Sequence, residues 1–178
     1  MLEAYAARTP QEAADVERIR ALVAAGDPWS RALPLHVTGS AIVVHPPTRR
    51  VLLRWHERQQ AWLQVGGHAD PGETDPYAVA LREAHEETGL TDLMAWPQAT
   101  TPEPIHVAVV PVPPGRDEPA HEHADVRFAL ATHMPEHIRA ESKKAQLEWL
   151  TLNQAIERTG EDNLRESLER LRALLACA

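Results

Sequence analysis

The chain has 178 residues, is 43% hydrophobic and carries a formal net charge of -8. That is enough apolar side chain for one packed core, and the acidic balance argues against a nucleic-acid polymer as partner. Its single Cys, Cys177, excludes an internal disulfide framework or a cysteine-based metal site; no stretch resembles a signal peptide or a bilayer span, so the expectation is a cytoplasmic protein with no membrane partner.

In chain order, "TPQEAADVERIRALVAAG" opens with helix punctuation. Thr9 can cap, Pro10 takes the first helical position, Glu12 completes a capping box and Gly26 can stop the helix. Val16, Ile19, Leu22 and Val23 form its apolar stripe. "HVTGSAIVV" and "RVLLRW" read as strands joined by the turn "HPPTR", and "AWLQV" is a third strand leading into Gly66-Gly67. A helix follows over about Asp75 to Thr88, preceded by a loop carrying Gly66, Gly67 and Gly72. Beyond Gly89, "IHVAVVPV" and "DVRFALAT" are strand-like, with the loop "PPGRDEPAHE" between them, and "LEWL" is a short strand. Thr151 opens a helix with Gln154 placed for a capping box and Gly160 placed to end it. A last helix, 163–176, sets Leu164, Leu168, Leu171 and Leu175 on one face. The mixture reads as a single α/β or α+β domain.

Chemistry concentrates in "QVGGHADPGETDPYAVALREAHEETGL". At 100° per residue, Glu83, Glu86 and Glu87 share an arc of roughly 100° on the helix. Such a face is ordinarily just solvated, and the like charges cost only tenths of a kcal/mol. Beside a glycine loop whose backbone can approach a ligand, the same carboxylates plus a loop carbonyl suit a hard cation, Mg²⁺ or Mn²⁺, that would offset their repulsion.

Gly67, Glu73 and the block "REAHEETGL" resemble the Nudix box, G-x5-E-x7-R-E-U-x-E-E-x-G-U with U aliphatic. The block matches throughout, from Arg82 to Leu90, with Gly67, Glu73 and Gly89 at the structural positions of the box. One departure stands out: "TDPYAVAL", between Glu73 and Arg82, is eight residues long where the family has seven. The extra residue falls near Asp75-Pro76, ahead of the helix, so it leaves the carboxylate register untouched but puts the Glu73–Arg82 contact in question.

The resemblance implies an α+β fold, an α/β/α sandwich with a central mixed β-sheet between helices, in one domain over 1–178 that adds helices 10–25 and 163–176 to the common core. It implies divalent-metal-dependent hydrolysis of the pyrophosphate bond of a nucleoside diphosphate linked to another moiety, or of a similar small diphosphate. By position, Glu83, Glu86 and Glu87 become metal ligands together with a carbonyl of Gly66 or Gly67. Arg82 orients the carboxylates through Glu73. The base is Glu83 or a late-loop carboxylate, Glu141 or Glu148. In "HEHADVR", His121, His123, Asp125 and Arg127 alternate and so share one strand face. That face is solvent-exposed, or lines the substrate pocket, or, as the weakest of the three readings because its spacing matches no common pattern, holds a structural zinc. "HVTGSA", "WLQVGGH" and the H-x-H-x-D-x-R strand also resemble Nudix relatives of uncharacterised specificity, which implies a pocket set of His36, His68, His121, His123, Asp125 and Arg127. Trp62 could stack a base, and Arg54, His56 and Arg58 could meet phosphate.

A catalytically silent nucleotide-binding Nudix module is the competing reading, disfavoured because every box carboxylate is present. An isoprenoid-diphosphate isomerase needs a catalytic Cys, for which Cys177 is badly placed. The chain is expected to be a monomer or homodimer acting on a small nucleotide or diphosphate.

Overall fold

The computed structural model describes residues 2, 4–98, 100, 102–115, 118–142 and 144–177. Four helices and eight strands follow in the order α1 (Pro10–Ala25), β1 (Leu35–His45), β2 (Arg50–His56), β3 (Ala61–Leu63), β4 (Val65–His68), α2 (Pro76–Thr88), β5 (Met94–Ala95), β6 (His106–Val112), β7 (His121–Ala131), β8 (Leu147–Thr151), α3 (Leu152–Arg158) and α4 (Asp162–Cys177). This is the expected α+β arrangement of a mixed sheet between helices. Among the described residues, no helix is long and apolar enough to cross a membrane.

β1 and β7 run side by side in parallel, in register from Leu35↔Glu122 to Val44↔Ala131. The other edge of β1 is divided: β4 pairs antiparallel with its first half and β2 with its last residues. β6 and β5 likewise divide the free edge of β7, and β8 and β3 extend β2. Alternation then sorts the residues of β1 and β7. Val37, Ala41, Val43, Ala124, Val126, Phe128 and Leu130 join the core beneath α1 and α2. Ile42, Val44, Ala129 and Ala131 join a second core with Leu164, Leu168, Leu171 and Leu175 of α4. The earlier residues on that second face are polar: His36, Thr38, Ser40, Asp125 and Arg127 are buried, and His121 and His123 half-buried.

α2 lies close on β1 because Gly39 has no side chain. A Cβ there would come within 2.9 Å of the Ala80 nitrogen and 3.0 Å of the Val79 Cβ.

Three local expectations are corrected. Gly66 and Gly67 are not in a loop but in β4, paired with Ser40 and Gly39; only Gly72 lies in the connection. β7 begins at His121, so the polar alternation of "HEHADVR" is strand from its first residue; residues 116 and 117 of the preceding loop lie outside the described set. α3 keeps its capping box but ends at Thr159 rather than Gly160.

The capping box of α1 is half made. Thr9 accepts the Glu12 N–H, but the Glu12 carboxylate turns away from the Thr9 backbone. It accepts instead from the Arg8 N–H at 2.5 Å, from Tyr5, from the Val107 N–H at 3.3 Å, and from both terminal nitrogens of Arg170 at 2.6 and 2.8 Å. Arg170 also donates to the Ile105 carbonyl at 3.1 Å. One buried, bidentate ion pair thus joins α1 to α4 across the start of β6. Removing one partner strands the other charge in the interior. Arg170→Ala is therefore expected to lower stability by about 3–5 kcal/mol, read from the midpoint of urea unfolding; a change below about 1 kcal/mol would show that the pair is not holding the two helices.

Candidate active site

Asp75 caps α2, accepting the Tyr77 N–H at 3.0 Å, with Pro76 in the first turn and Gly89 in the left-handed conformation at the C-terminus. The three acidic side chains of this helix differ in burial: Glu86 is exposed, Glu83 half-buried and Glu87 buried. The buried face consists of Pro76, Val79, Ala80, Ala84, Glu87 and Thr88, so the third carboxylate belongs to the core side of the helix rather than to a solvated stripe.

Two arginines organise these carboxylates. Arg82 donates to Glu83 at 3.0 Å, to Glu86 at 3.1 Å, to the His68 carbonyl at 2.8 Å and to Glu73 at 3.0–3.3 Å. The extra residue before the helix therefore does not separate Glu73 from Arg82. Glu73 sits in a tight turn, with its N–H on the Asp70 carbonyl and its carboxylate on the Asp70 N–H. Hydrogen bonds from Arg82, the largest cause, hold the Glu73 carboxyl below the usual range. Arg54 of β2 is the second organiser. It lies 3.3 Å from Glu87 and donates to Glu141 at 2.6 Å. Glu87 also accepts the Gly66 N–H at 3.1 Å.

Burial pushes the Glu87 carboxyl up to about 7 against the pull of Arg54 and the Gly66 N–H, with Glu83 and Glu141 adding to the rise. Glu83 is raised too, first by burial, with Arg82 opposing. These are acids held partly out of water beside one another, which is costly without a cation. β4 closes over them: a Cβ on Gly67 would meet the Glu83 carboxylate at 2.6 Å, so a side chain there would displace the carboxylate from the strand backbone. Buried, mutually repelling carboxylates against a bare peptide backbone form a hard oxygen donor set, which fits Mg²⁺ or Mn²⁺.

The other face of β4 lines a cavity of about 220 Å³. Its floor is Thr38, Ser40, Gln64, Asp125 and Arg127, its walls include Arg58, Glu118 and Glu161, and His68, His121 and His123 stand at one side. Asp125 accepts from Thr38 at 3.0 Å, Ser40 at 2.9 Å, Gln64 at 3.3 Å and Arg127 at 2.7 Å. Arg127 is fully buried and donates to Ser167 at 3.1 Å, while its Nη2 and the Gln64 Oε1 have no protein partner among the described residues.

The structure thus brings Glu83, Glu86, Glu87, Arg82, Glu73, Gly66, Gly67 and Glu141 together, and gathers His68, His121, His123 and Arg127 on the far side of β4. Other expected residues are placed elsewhere. Glu148 pairs with Leu53 in the β8–β2 register, on the face of the sheet away from α2, and its carboxylate is bonded to Arg158. Trp62 packs edge-on against Trp55 at 5.8 Å and under the Arg158 guanidinium, outside the cavity. Arg54 faces the carboxylates rather than the cavity. Thr38, Ser40, Gln64 and Glu161 were not anticipated; the period-two alternation of "HVTGS" carries the signal for the first two.

A family profile described as NUDIX domain matches residues 35–171. The match leaves α1 outside and runs into α4. A comparison with curated protein sequences finds no match. Among solved structures, a Caenorhabditis elegans Ap4A hydrolase binary complex is similar at 20% identity and TM-score 0.61, covering 80% of this chain and 98% of the other. A NUDIX-family hydrolase from Clostridium perfringens matches at 24% identity and TM-score 0.58, covering 78% and 97%. An Escherichia coli dihydroneopterin triphosphate pyrophosphohydrolase matches at 20% identity and TM-score 0.58, covering 82% and 97%. Fold and acidic helix together define a hydrolase of phosphorus anhydrides. The chain belongs to the Nudix family and is a pyrophosphohydrolase of that family.

The raised Glu87 carboxyl has a measurable consequence. The folded chain keeps its proton up to about pH 7, whereas an unperturbed carboxyl releases it near 4.5. Between those values the folded state holds more protons than the unfolded state, so metal-free stability falls as pH rises through the window. Glu87→Gln removes that slope. In a chelating buffer the variant is expected to gain on the order of 2–3 kcal/mol relative to the parent between about pH 5 and pH 8, measured by urea unfolding. Equal slopes in the two proteins would contradict a buried, proton-holding Glu87.

Proposed function

We propose that the protein hydrolyses the pyrophosphate bond of a small nucleotide or related diphosphate in a Mg²⁺- or Mn²⁺-dependent reaction. The observation that carries this reading is the pair of carboxylates, half-buried Glu83 and buried Glu87, held by Arg82 and Arg54 against the β4 glycines. Glu83, Glu86 and Glu87, with a carbonyl of Gly66 or Gly67, are the groups that would hold the cation. When bound, such a cation neutralises phosphate oxygens and so favours attack at phosphorus.

The chain's own residues do the rest. Arg82 fixes Glu83 and Glu86 from one side and ties them to the His68 carbonyl, so helix and strand keep one spacing. A carboxylate accepts the proton of the attacking water as the new P–O bond forms and the bridging P–O bond breaks. Glu141 is assigned this role. Arg54 holds one of its oxygens and lies beside Glu87, so this loop carboxylate stands at the edge of the cluster. The cavity beyond β4 receives the group attached to the diphosphate. No Trp, Tyr or Phe is among the described lining residues, and the floor is polar. That supports a compact polar moiety, met by Arg58 and Arg127, rather than a stacked second base. Cytoplasmic location, and a monomeric or homodimeric state, belong to the same proposal.

A panel of nucleoside triphosphates, nucleotide sugars, ADP-ribose, dinucleotides and non-nucleotide diphosphates, each with Mg²⁺ or Mn²⁺, tests it through phosphate or monophosphate release. Compact polar substrates are expected to turn over best, and none should be cleaved in chelator. No turnover with any substrate and either metal would overturn the proposal.

Glu83→Gln is expected to lower kcat by roughly 10²–10⁴-fold on the best substrate. Glu141→Gln should lower kcat by at least about 10²-fold with little change in KM, while Glu148→Gln stays within about threefold of the parent. A larger loss at Glu148 than at Glu141 would reverse the assignment of the base.

A further inference from the structure

Four imidazoles meet on the cavity face of the sheet, from residues far apart in the chain. His36 of β1 and His123 of β7 are direct partners in the parallel register. His121 precedes His123 by two residues and so shares its face. His68 of β4 is paired with Thr38, next to His36 on the same face. One nitrogen of each ring lies within 4.8 Å of the corresponding nitrogen of every other. Among the described residues this is the one group of three or more His, Cys, Asp or Glu whose ligand atoms converge in this way.

The hydrogen bonds prepare two of the rings. The Nδ1–H of His36 donates to the Leu33 carbonyl at 3.0 Å, and the Nδ1–H of His121 donates to the Pro119 carbonyl at 3.0 Å. A neutral imidazole with its proton on Nδ1 presents a lone pair on Nε2. Backbone carbonyls fixing the far nitrogen are the usual support of a metal-binding histidine. The other two rings bring their own Nε2 up to those lone pairs: His68 lies 3.0 Å from His36, and His123 lies 3.1 Å from His121. In a tetrahedral site with metal–nitrogen bonds of about 2.0–2.1 Å, ligand nitrogens stand about 3.3 Å apart. Two edges of the cluster are already within a few tenths of an ångström of that spacing, and every other pair lies within 4.8 Å.

We infer that His36, His68, His121 and His123 form a second metal site, for a single Zn²⁺-class transition-metal ion, separate from the carboxylate cluster. An all-imidazole set suits Zn²⁺, Co²⁺, Ni²⁺ or Cu²⁺ and is a poor match to Mg²⁺ and Mn²⁺, which prefer oxygen. Four protein ligands leave no open position, so the site is structural. Its ligands come from β1, β4 and β7, and no peptide segment links them closely except within β7. The ion therefore staples β4 to the central pair of strands. Gly66 and Gly67 precede His68 directly, so the same staple steadies the strand backbone that lies against Glu83.

The inference does not depend on the hydrolase reading, and the test uses no turnover measurement. The full-length protein, purified without chelator, is loaded with Zn²⁺, dialysed and analysed for metal. One equivalent is expected in the parent and in Glu83→Gln/Glu87→Gln, and at least about a 100-fold loss of affinity in His68→Gln/His123→Gln. The parent loaded with Co²⁺ should show the strong visible absorption of a tetrahedral nitrogen site, a readout that needs no variant to fold. Zinc content that follows the glutamates rather than the histidines would overturn the inference. So would a parent that retains no Zn²⁺ and gives only the weak Co²⁺ spectrum of octahedral oxygen ligation. Zinc in the histidine site of a protein that hydrolyses nothing would support the inference while refuting the proposed function.

Discussion

Everything functional in this chain hangs on the parallel pairing of β1 with β7. The ladder runs from Leu35↔Glu122 to Val44↔Ala131 and is covered on both faces, so each strand must satisfy two environments at once. One face is apolar along its length and receives α1 and α2. The other is apolar only toward the strand C-termini, beneath α4, and polar before that. Because strand alternation has a period of two, a one-residue slip of β7 would move Asp125 and Arg127 under α2 and Val126 into the cavity, and a slip of β1 would do the same to Thr38, Ser40 and Val37. The register that builds the core is thus the register that builds the pocket.

β4 carries the second constraint, because it separates two unlike sites with four residues. Toward α2 it offers bare backbone at Gly67 against the Glu83 carboxylate; toward the cavity it presents His68. Charge is balanced tightly on the helix side. Arg82 meets Glu73, Glu83 and Glu86, and Arg54 meets Glu87 and Glu141, leaving more carboxylates than guanidinium groups. An excess of negative charge is what a divalent cation relieves; burial first, with Glu83 and Glu141 adding to it, drives Glu87 up from its ordinary range against Arg54 and the Gly66 N–H.

The parts of this arrangement that were legible in the sequence are the local ones. The helix of "REAHEETGL", its Asp75 cap and its Gly89 stop are read from adjacent residues, and the carboxylate arc follows from the helical period. The face of "HEHADVR" was legible from alternation for the same reason. What no local pattern carries is who stands opposite. His36 and His68 reach His121 and His123 only through a parallel register and a divided strand edge, and Glu141 is distinguished from Glu148 only by the face on which each falls. Glu12 makes the point from the other direction. Its spacing from Thr9 spells a capping box, but the buried Arg170 guanidinium, more than 150 residues away, is the stronger partner and takes the carboxylate.

The cavity floor shows what the fold asks of a ligand. Asp125 has four donors and needs nothing more, so its charge is fully held in place. Arg127, buried beside it, has one terminal nitrogen without a protein partner, and Gln64 has one such oxygen. Buried polar atoms of this kind are costly unless something pairs with them. A donor and an acceptor left open on one wall, next to a carboxylate already satisfied, select against a purely apolar occupant and against a second base held only by stacking. They fit a group that both accepts and donates hydrogen bonds, and this is the ground for proposing the group attached to the diphosphate on this face of the sheet and the cation-holding carboxylates on the other.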